Sequence, residues 1–296
     1  RDVNNLAVFT AEDDTAIQVT ESGQATLKRR GRHNVLVRFQ TEVVALTFVA
    51  PLYDKPVDLS QAPRGNFIDD EIYASLEQLR LPPSPPADAF TMLRRLRLDL
   101  TGRFPSPEEI AALEREISKR KPTDASAESD GSWVADFVVD ELLQSDDFTE
   151  FWAHQFGKWL RVGPAGTSQQ NADSYHQWVR KHIEDGMPLN ELAAGLITAN
   201  GDAGPANFYR AAPDARGQAE HFSEVLMGVR LRCANCHNHP LDRWTQDDYH
   251  GLAAIFARVE RGTEIRWLDR GEVYHPATGR PARARLPGEA YLPDDV

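Results

Sequence analysis

The chain has 296 residues with 33 Lys and Arg against 45 Asp and Glu, a formal charge of −12, and a 41% hydrophobic, 26% charged composition. That length suits about two domains and the composition supplies a buried core, which excludes collagen-like, mucin-like and wholly disordered chains. The acidity argues against nucleic-acid binding, which needs surplus Lys and Arg to displace counterions, and against residence on an anionic membrane surface. No apolar run is long enough for a membrane span, so no membrane insertion of this segment is expected. The opening Arg1-Asp2-Val3-Asn4-Asn5 lacks the basic and apolar regions of a signal peptide. A start without Met, inside strand-like sequence, reads as an internal piece of a longer polypeptide, so localisation has to come from chemistry.

Residues 1–52 read as strands. Leu6–Phe9, Ala16–Val19, Ala25–Leu27, Val35–Phe39 and Val43–Val49 are short β-branched or aromatic runs separated by Gly, Asp and Asn, the pattern of a small antiparallel sandwich. Gly23-Gln24-Ala25-Thr26-Leu27 resembles the recurring strand of bacterial Ig-like (group 2) domains, which implies an Ig-like β domain, incomplete here. Residues 53–66, with Pro56, Pro63 and Gly65, read as a linker.

From residue 67 the hydrophobic period changes from that of strands to that of helices. Ile68, Ile72, Leu76 and Leu79 share one helical stripe, ended by a proline run at 82–86. A second helix is expected over 87–101. Ser106-Pro107-Glu108-Glu109 is a capping box with Pro at the first helical position, which starts a third. Residues 119–131 are polar and read as a solvated loop. Further helices are expected over 132–145, 147–161, 173–185, 188–200, 216–231 and 246–258, giving a mainly α-helical domain over 67–262. Residues 263–296 read as an irregular extension with a hairpin between Ile265–Trp267 and Glu272–Tyr274.

Both cysteines of the chain lie in Cys233-Ala234-Asn235-Cys236-His237. Cys-x-x-Cys-His is the c-type haem attachment pattern: two thiols on one tight turn reach two vinyl groups, and the adjacent imidazole meets the iron as proximal ligand. The motif follows an amphipathic helix carrying Phe222, Val225, Leu226 and Val229. A thioredoxin-type pair would instead follow a strand and open a helix. Two other readings stay open. Cys233, Cys236 and one or two of His237, His239 and His250 form a zinc ligand set, although a second ligand knuckle is absent. Alternatively, the cysteines form a plain disulfide or a pair of core thiols.

Under the haem reading a sixth iron ligand is sought elsewhere. His154, on an aromatic-rich helix, is the first distal candidate, and His176 the second, with His182 further along the same helix. Met92, Met187 and Met227 do not occupy the expected downstream position, and His221 reads as a surface residue. A five-coordinate iron would open ligand binding or peroxidase-like chemistry. His239, Arg243 and Trp244 are pocket candidates: His239 for a propionate or ligand, Arg243 for a propionate as a charge-assisted contact, Trp244 for packing on the porphyrin. Pro240 reads as the stop of the local helix. Asp247 and Asp248 read as helix-start residues suited to the macrodipole. Paired carboxylates elsewhere look like helix starts or solvated faces, and neither a Gly-x-Ser-x-Gly, a Walker loop nor a Rossmann fingerprint is present.

Residues 66–280 resemble the cytochrome-associated domain of unknown function (fifteen-forty-nine) of large secreted planctomycete-type proteins. The residues that carry this are Phe67-Ile68-Asp69-Asp70, Arg94–Glu109, Trp178-Val179-Arg180 with Met187-Pro188-Leu189, Cys233–Pro240, and Trp244–Tyr249. The resemblance implies haem association, an Ig-like domain in front, further modules in the same polypeptide, and a periplasmic or extracellular setting. The combined expectation is a c-type cytochrome domain with one covalent haem c on Cys233, Cys236 and His237, serving electron transfer to an unknown redox partner or binding a haem ligand. The alternatives are a zinc-stabilised interaction or adhesion module and a peroxidase-like haem enzyme; whether the chain is an enzyme at all stays open.

Overall fold

The change of hydrophobic period after residue 66 is where the backbone changes from strand to helix. The computed structural model describes residues 6–40, 42–120, 130–163, 168–239 and 242–293. At the N-terminus β1 (Val8–Ala11), β4 (Gly31–Phe39) and β5 (Glu42–Ala50) form an antiparallel sheet in the order β1-β4-β5. β2 (Ile17–Val19) and β3 (Ala25–Leu27) form a separate antiparallel pair. Val35 pairs with Ala11 on one side and Leu46 on the other and is buried, as are Ala16 and Ile17. The turn before β3 needs glycine: Gly23 has φ +83°, and a Cβ there would stand 2.7 Å from the Phe9 ring.

α1 (Phe67–Leu79) starts at an Asn66 cap, with Asn66 Oδ1 accepting from Ile68 N at 2.8 Å and Asp69 accepting from Asn66 N at 3.2 Å. The first half of its expected apolar stripe stays exposed, at 54% for Ile68 and 52% for Ile72, while Leu76 and Leu79 are half-buried. α1 is held by the linker, through Leu52 N–H to Leu79 O and Arg80 to Asp54 O, with no buried residue of its own.

α2 (Ala89–Thr101), α3 (Pro107–Lys119) and α4 (Val134–Leu143) enclose a small core of Leu93, Leu113 and Val134. The capping box at Ser106 forms: its hydroxyl accepts from Glu109 N at 3.2 Å, and Glu109 accepts from Ser106 N at 2.7 Å. Nearly buried Arg97 lies in ion-pair range of Glu109 (3.4 Å) and of Asp147 (3.8 Å) on the next helix. The loop expected over 119–131 falls largely on 121–129, outside the described residues.

α5 (Asp146–Trp159), α6 (Gln169–Glu184), α7 (Leu189–Ile197), α8 (Ala215–Leu226) and α9 (Gln246–Phe256) build the larger body. Its core includes Tyr175, Val179, Leu196, Phe208, Tyr209, Phe222, Leu231, Trp244, Tyr249, Leu252, Phe256 and Val273. α9 is its centre, because eight consecutive or near-consecutive residues from Asp248 to Phe256 are buried and the helix has no solvent face there. The 3₁₀ segment Gly204–Ala211 carries Phe208 and Tyr209 inward. The hairpin near the C-terminus pairs β6 (Val259–Arg261) with β7 (Ile265–Trp267), so the partner of 265–267 precedes it and is not the expected 272–274. Residues 271–292 instead run back over α9, with Arg285 N–H bonded to Gly251 O at 3.2 Å. Among the described residues, then, the chain is mainly helical with small sheets at the N-terminus.

Candidate functional site

The Cys-x-x-Cys-His stretch is built as a cap between α8 and α9. α8 ends at Leu226 with Met227 as its C-cap, and Gly228 (φ +67°) turns the chain back. Leu231–Asn235 then forms a 3₁₀ turn with Leu231 and Ala234 buried. Because residues three apart eclipse one another in a 3₁₀ helix, burial of Leu231 and Ala234 turns Cys233 and Cys236 outward together. Both are exposed free thiols.

α9 pins this turn from below. The Asn235 carbonyl accepts from Gln246 Nε2 and from His250 Nε2, each at 3.2 Å. Donation from Nε2 leaves His250 Nδ1 as the unprotonated nitrogen, buried and without a hydrogen-bond partner. Burial is the main cause that holds the His250 imidazole below its ordinary pKa, helped by the nearby His275 and Arg216 and opposed by the Asn235 bond. His250 meets Tyr249 edge-on at 4.8 Å and His275 at 4.7 Å. Tyr249 donates to Glu220 at 2.8 Å; burial, then the Glu220 contact, pushes its phenol far up.

The residues after the motif are tied down as well. His237 Nδ1 lies 2.6 Å from the carbonyl of Asn238. Asn238 bridges two elements, accepting from Gln246 N at 3.3 Å and donating to Glu42 on β5 at 3.2 Å. The backbone N–H of His239 bonds to Trp244 O at 2.7 Å. Trp244 is a core residue whose indole N–H donates to Asp242 at 2.7 Å, and the Arg243 guanidinium stacks 4.7 Å over its ring. Pro240 lies outside the described residues.

Thr245 caps α9 and Asp248 completes its capping box. Asp248 Oδ2 accepts from Thr245 N and Oγ1, both at 2.8 Å, and Oδ1 accepts from Gly288 N at 2.9 Å and pairs with Arg285 at 3.1 Å. Burial alone would raise this carboxyl. The bonds from Gly288 and Thr245, with Arg285, outweigh it and hold Asp248 below the usual carboxylate value.

These facts correct the sequence-based assignment of a covalent haem, and with it cytochrome c, iron, electron-transfer and peroxidase-like readings. Among the described residues no group of three or more His, Cys, Asp or Glu is arranged to hold a metal ion, which also removes the zinc-stabilised alternative. His154, the first distal candidate, is exposed on α5, and His176, the second, is half-buried on α6. α5 and α6 pack on each other and α6 packs on Gly204–Ala211, while the cysteine turn packs on α8 and α9. His182 bonds the Trp178 carbonyl one turn back. Trp244 and Arg243 are used by the core and by each other. His221, read from sequence as a surface residue, is 1% exposed. Sequence reading missed His275, and it placed His250 only in a zinc ligand set and not as the side chain that pins the Asn235 carbonyl; the local signal near His275 was the run of Arg280, Arg283 and Arg285 in an acidic chain.

In comparisons with known proteins, the family described as PSCyt2, protein of unknown function (DUF1549), matches residues 67–261. That family carries no assigned activity, so it lends the cytochrome reading no support. No curated protein and no solved structure matches the chain.

Proposed function

The chain belongs to the PSCyt2 family of unknown function, and on that premise we propose that Cys233 and Cys236 are a surface thiol pair that interconverts between dithiol and disulfide outside the cytoplasm. The observation that carries the reading is the pair itself: two exposed free thiols, three residues apart on a pinned 3₁₀ turn. At about 2 Å of rise per residue their Cα atoms are about 6 Å apart, inside the range a disulfide spans. Oxidation removes two protons and two electrons from the thiols, and an incoming disulfide accepts them and leaves as two thiols. Such a bond persists in oxidising compartments, which supports a periplasmic or extracellular setting. The pair closes a 3₁₀ turn and does not open a helix, so it lacks the dipole assistance of catalytic oxidoreductases; a switching disulfide suits it better.

The N-terminal strands belong to the same reading as an Ig-like sandwich, supported by antiparallel pairing and the Gly23–Leu27 stretch. The contact of Glu42 with Asn238 gives that part a hold on the thiol turn.

Mass spectrometry tests the proposal. Protein exported to an oxidising compartment should be lighter by two hydrogens than reduced protein and resist alkylation, while Cys233→Ser should expose one alkylatable thiol. Two freely alkylated thiols after equilibration with oxidised glutathione would overturn it.

A further inference from the structure

On the thiol reading given above, we propose that the cavity beside the cysteine turn takes a low-molecular-weight disulfide built from amino acids, with carboxylates on each half, and presents it to Cys233. The cavity measures about 550 Å³, and its walls include Arg161, Gly217, Glu220, Glu224, Arg230 and Arg232. Arg230 and Arg232 lead directly into Cys233. Arg230 is the N-cap of the Leu231–Asn235 turn and Cys236 its C-cap. Residues three apart eclipse one another in a 3₁₀ turn, so Arg230, Cys233 and Cys236 follow one stripe, with about 6 Å of rise between neighbours. A wall of the cavity thus continues into the row of thiols.

Charge sets the class of ligand. The chain carries a net −12, a far field that attracts cations and repels anions. Around the thiols the balance is reversed, because Val225 to Leu241 holds two arginines and no Asp or Glu. Arg230 meets Glu224 at 3.5 Å and Arg232 meets Glu220 at 3.9 Å, with the arginine side chains 85% and 83% exposed. Exposed pairs of this kind are worth little, so an incoming carboxylate shares the guanidinium or displaces the glutamate at small cost. Glu220 is already held by the Tyr249 hydroxyl at 2.8 Å. Arg161 is anchored through Nη1 to Ala211 O at 3.3 Å, a bond that uses one of its five donors. Three guanidinium groups and two carboxylates match a ligand whose carboxylates outnumber its ammonium groups, as in a peptide disulfide.

The Cys233 thiolate attacks one sulfur of this disulfide. The ligand S–S bond breaks, a new one joins Cys233 to one half, and the other half leaves and takes up the Cys233 proton. The Cys236 thiolate then attacks the Cys233 sulfur and expels the second half, which takes up the Cys236 proton. The protein pair loses two electrons and two protons, and the ligand is reduced to two thiols.

Oxidation rates of the reduced full chain test this, with glutathione disulfide as the anionic probe, hydroxyethyl disulfide as the neutral one and cystamine as the cationic one. Dividing each rate by that of the same disulfide with a neutral cysteine peptide removes differences between leaving thiols. Net charge alone favours cystamine. The expected order is the reverse, with glutathione disulfide ahead of cystamine by about tenfold. The double variant Arg230→Ala, Arg232→Ala should lose most of that preference, and Arg230→Lys, Arg232→Lys should keep most of it. Both positions are exposed, and far-UV dichroism checks that each variant is folded. Equal normalised rates, a faster reaction with cystamine, or an unchanged preference in the alanine variant would overturn this proposal and leave the thiol reading intact. Failure of all three disulfides to oxidise the pair would overturn that reading, and this proposal with it.

Discussion

Two side chains show that hydrogen-bond partners decide what burial does to a titratable group. His221 lies in the core with its ring 5.2 Å from Phe208 and neither nitrogen hydrogen-bonded. Burial, then the charge of Arg161, lowers its pKa to about 4, with the Leu160 backbone near enough to offset part of this. The folded chain therefore binds fewer protons than the unfolded one between the ordinary histidine value and about 4. Stability from this residue is complete above about 6.5 and falls as pH drops toward 4, by about 3 kcal/mol in all. His221→Leu should lose that component, so urea melts of the variant should be flatter than wild type over this range while equal or greater at pH 5. Asp248 works in the opposite setting, buried but fully partnered. Its depressed carboxyl contributes stability above the ordinary carboxylate value that disappears in stronger acid. Asp248→Asn keeps the shape but loses an acceptor and the Arg285 pairing, and should cost about 2–4 kcal/mol in chemical denaturation at pH 7.

At the scale of elements, the local signals were legible where the chemistry is local. The Ser106 box and the Thr245 cap join groups three residues apart, so their letters suffice to locate α3 and α9. The stripe of α1 shows the opposite case: Ile68 and Ile72 have correct spacing, but no apolar surface is delivered to them. α9 depends on a close approach to the returning segment. A Cβ on Gly251 would fall 2.3 Å from Arg285 Cγ and 3.1 Å from Arg283 O. Gly251→Ala should therefore lift the returning segment from α9, costing about 1–3 kcal/mol, and limited proteolysis should cut within 271–293 faster than in wild type.

At the scale of the molecule, the N-terminal sheets and the helical body meet through few polar contacts, among them Arg32 with Gln78 at 3.4 Å and Glu42 with Asn238. Removal of residues 1–50 should leave the helical body folded, with its thermal midpoint moved by less than about 3 °C. Loss of the cooperative transition in that truncated chain would show that the sheets are integral to the body.

The sequence by itself determined the division into strands and helices, the main helix starts, and the short spacing of the two cysteines, because period, capping and short spacings act over a few residues, whereas the outward turn of that pair came from the burial of Leu231 and Ala234. It did not determine the chemistry of that pair. A metal or haem needs ligands from distant elements, and only the tertiary structure shows where His154, exposed on α5, and His176, half-buried on α6, stand. Nor could composition tell that His221 is buried, or that His275 and three arginines from an irregular tail gather over α9. Those outcomes depend on which surfaces meet, and the close approach at Gly251 and the partners of Asp248 are what make them meet.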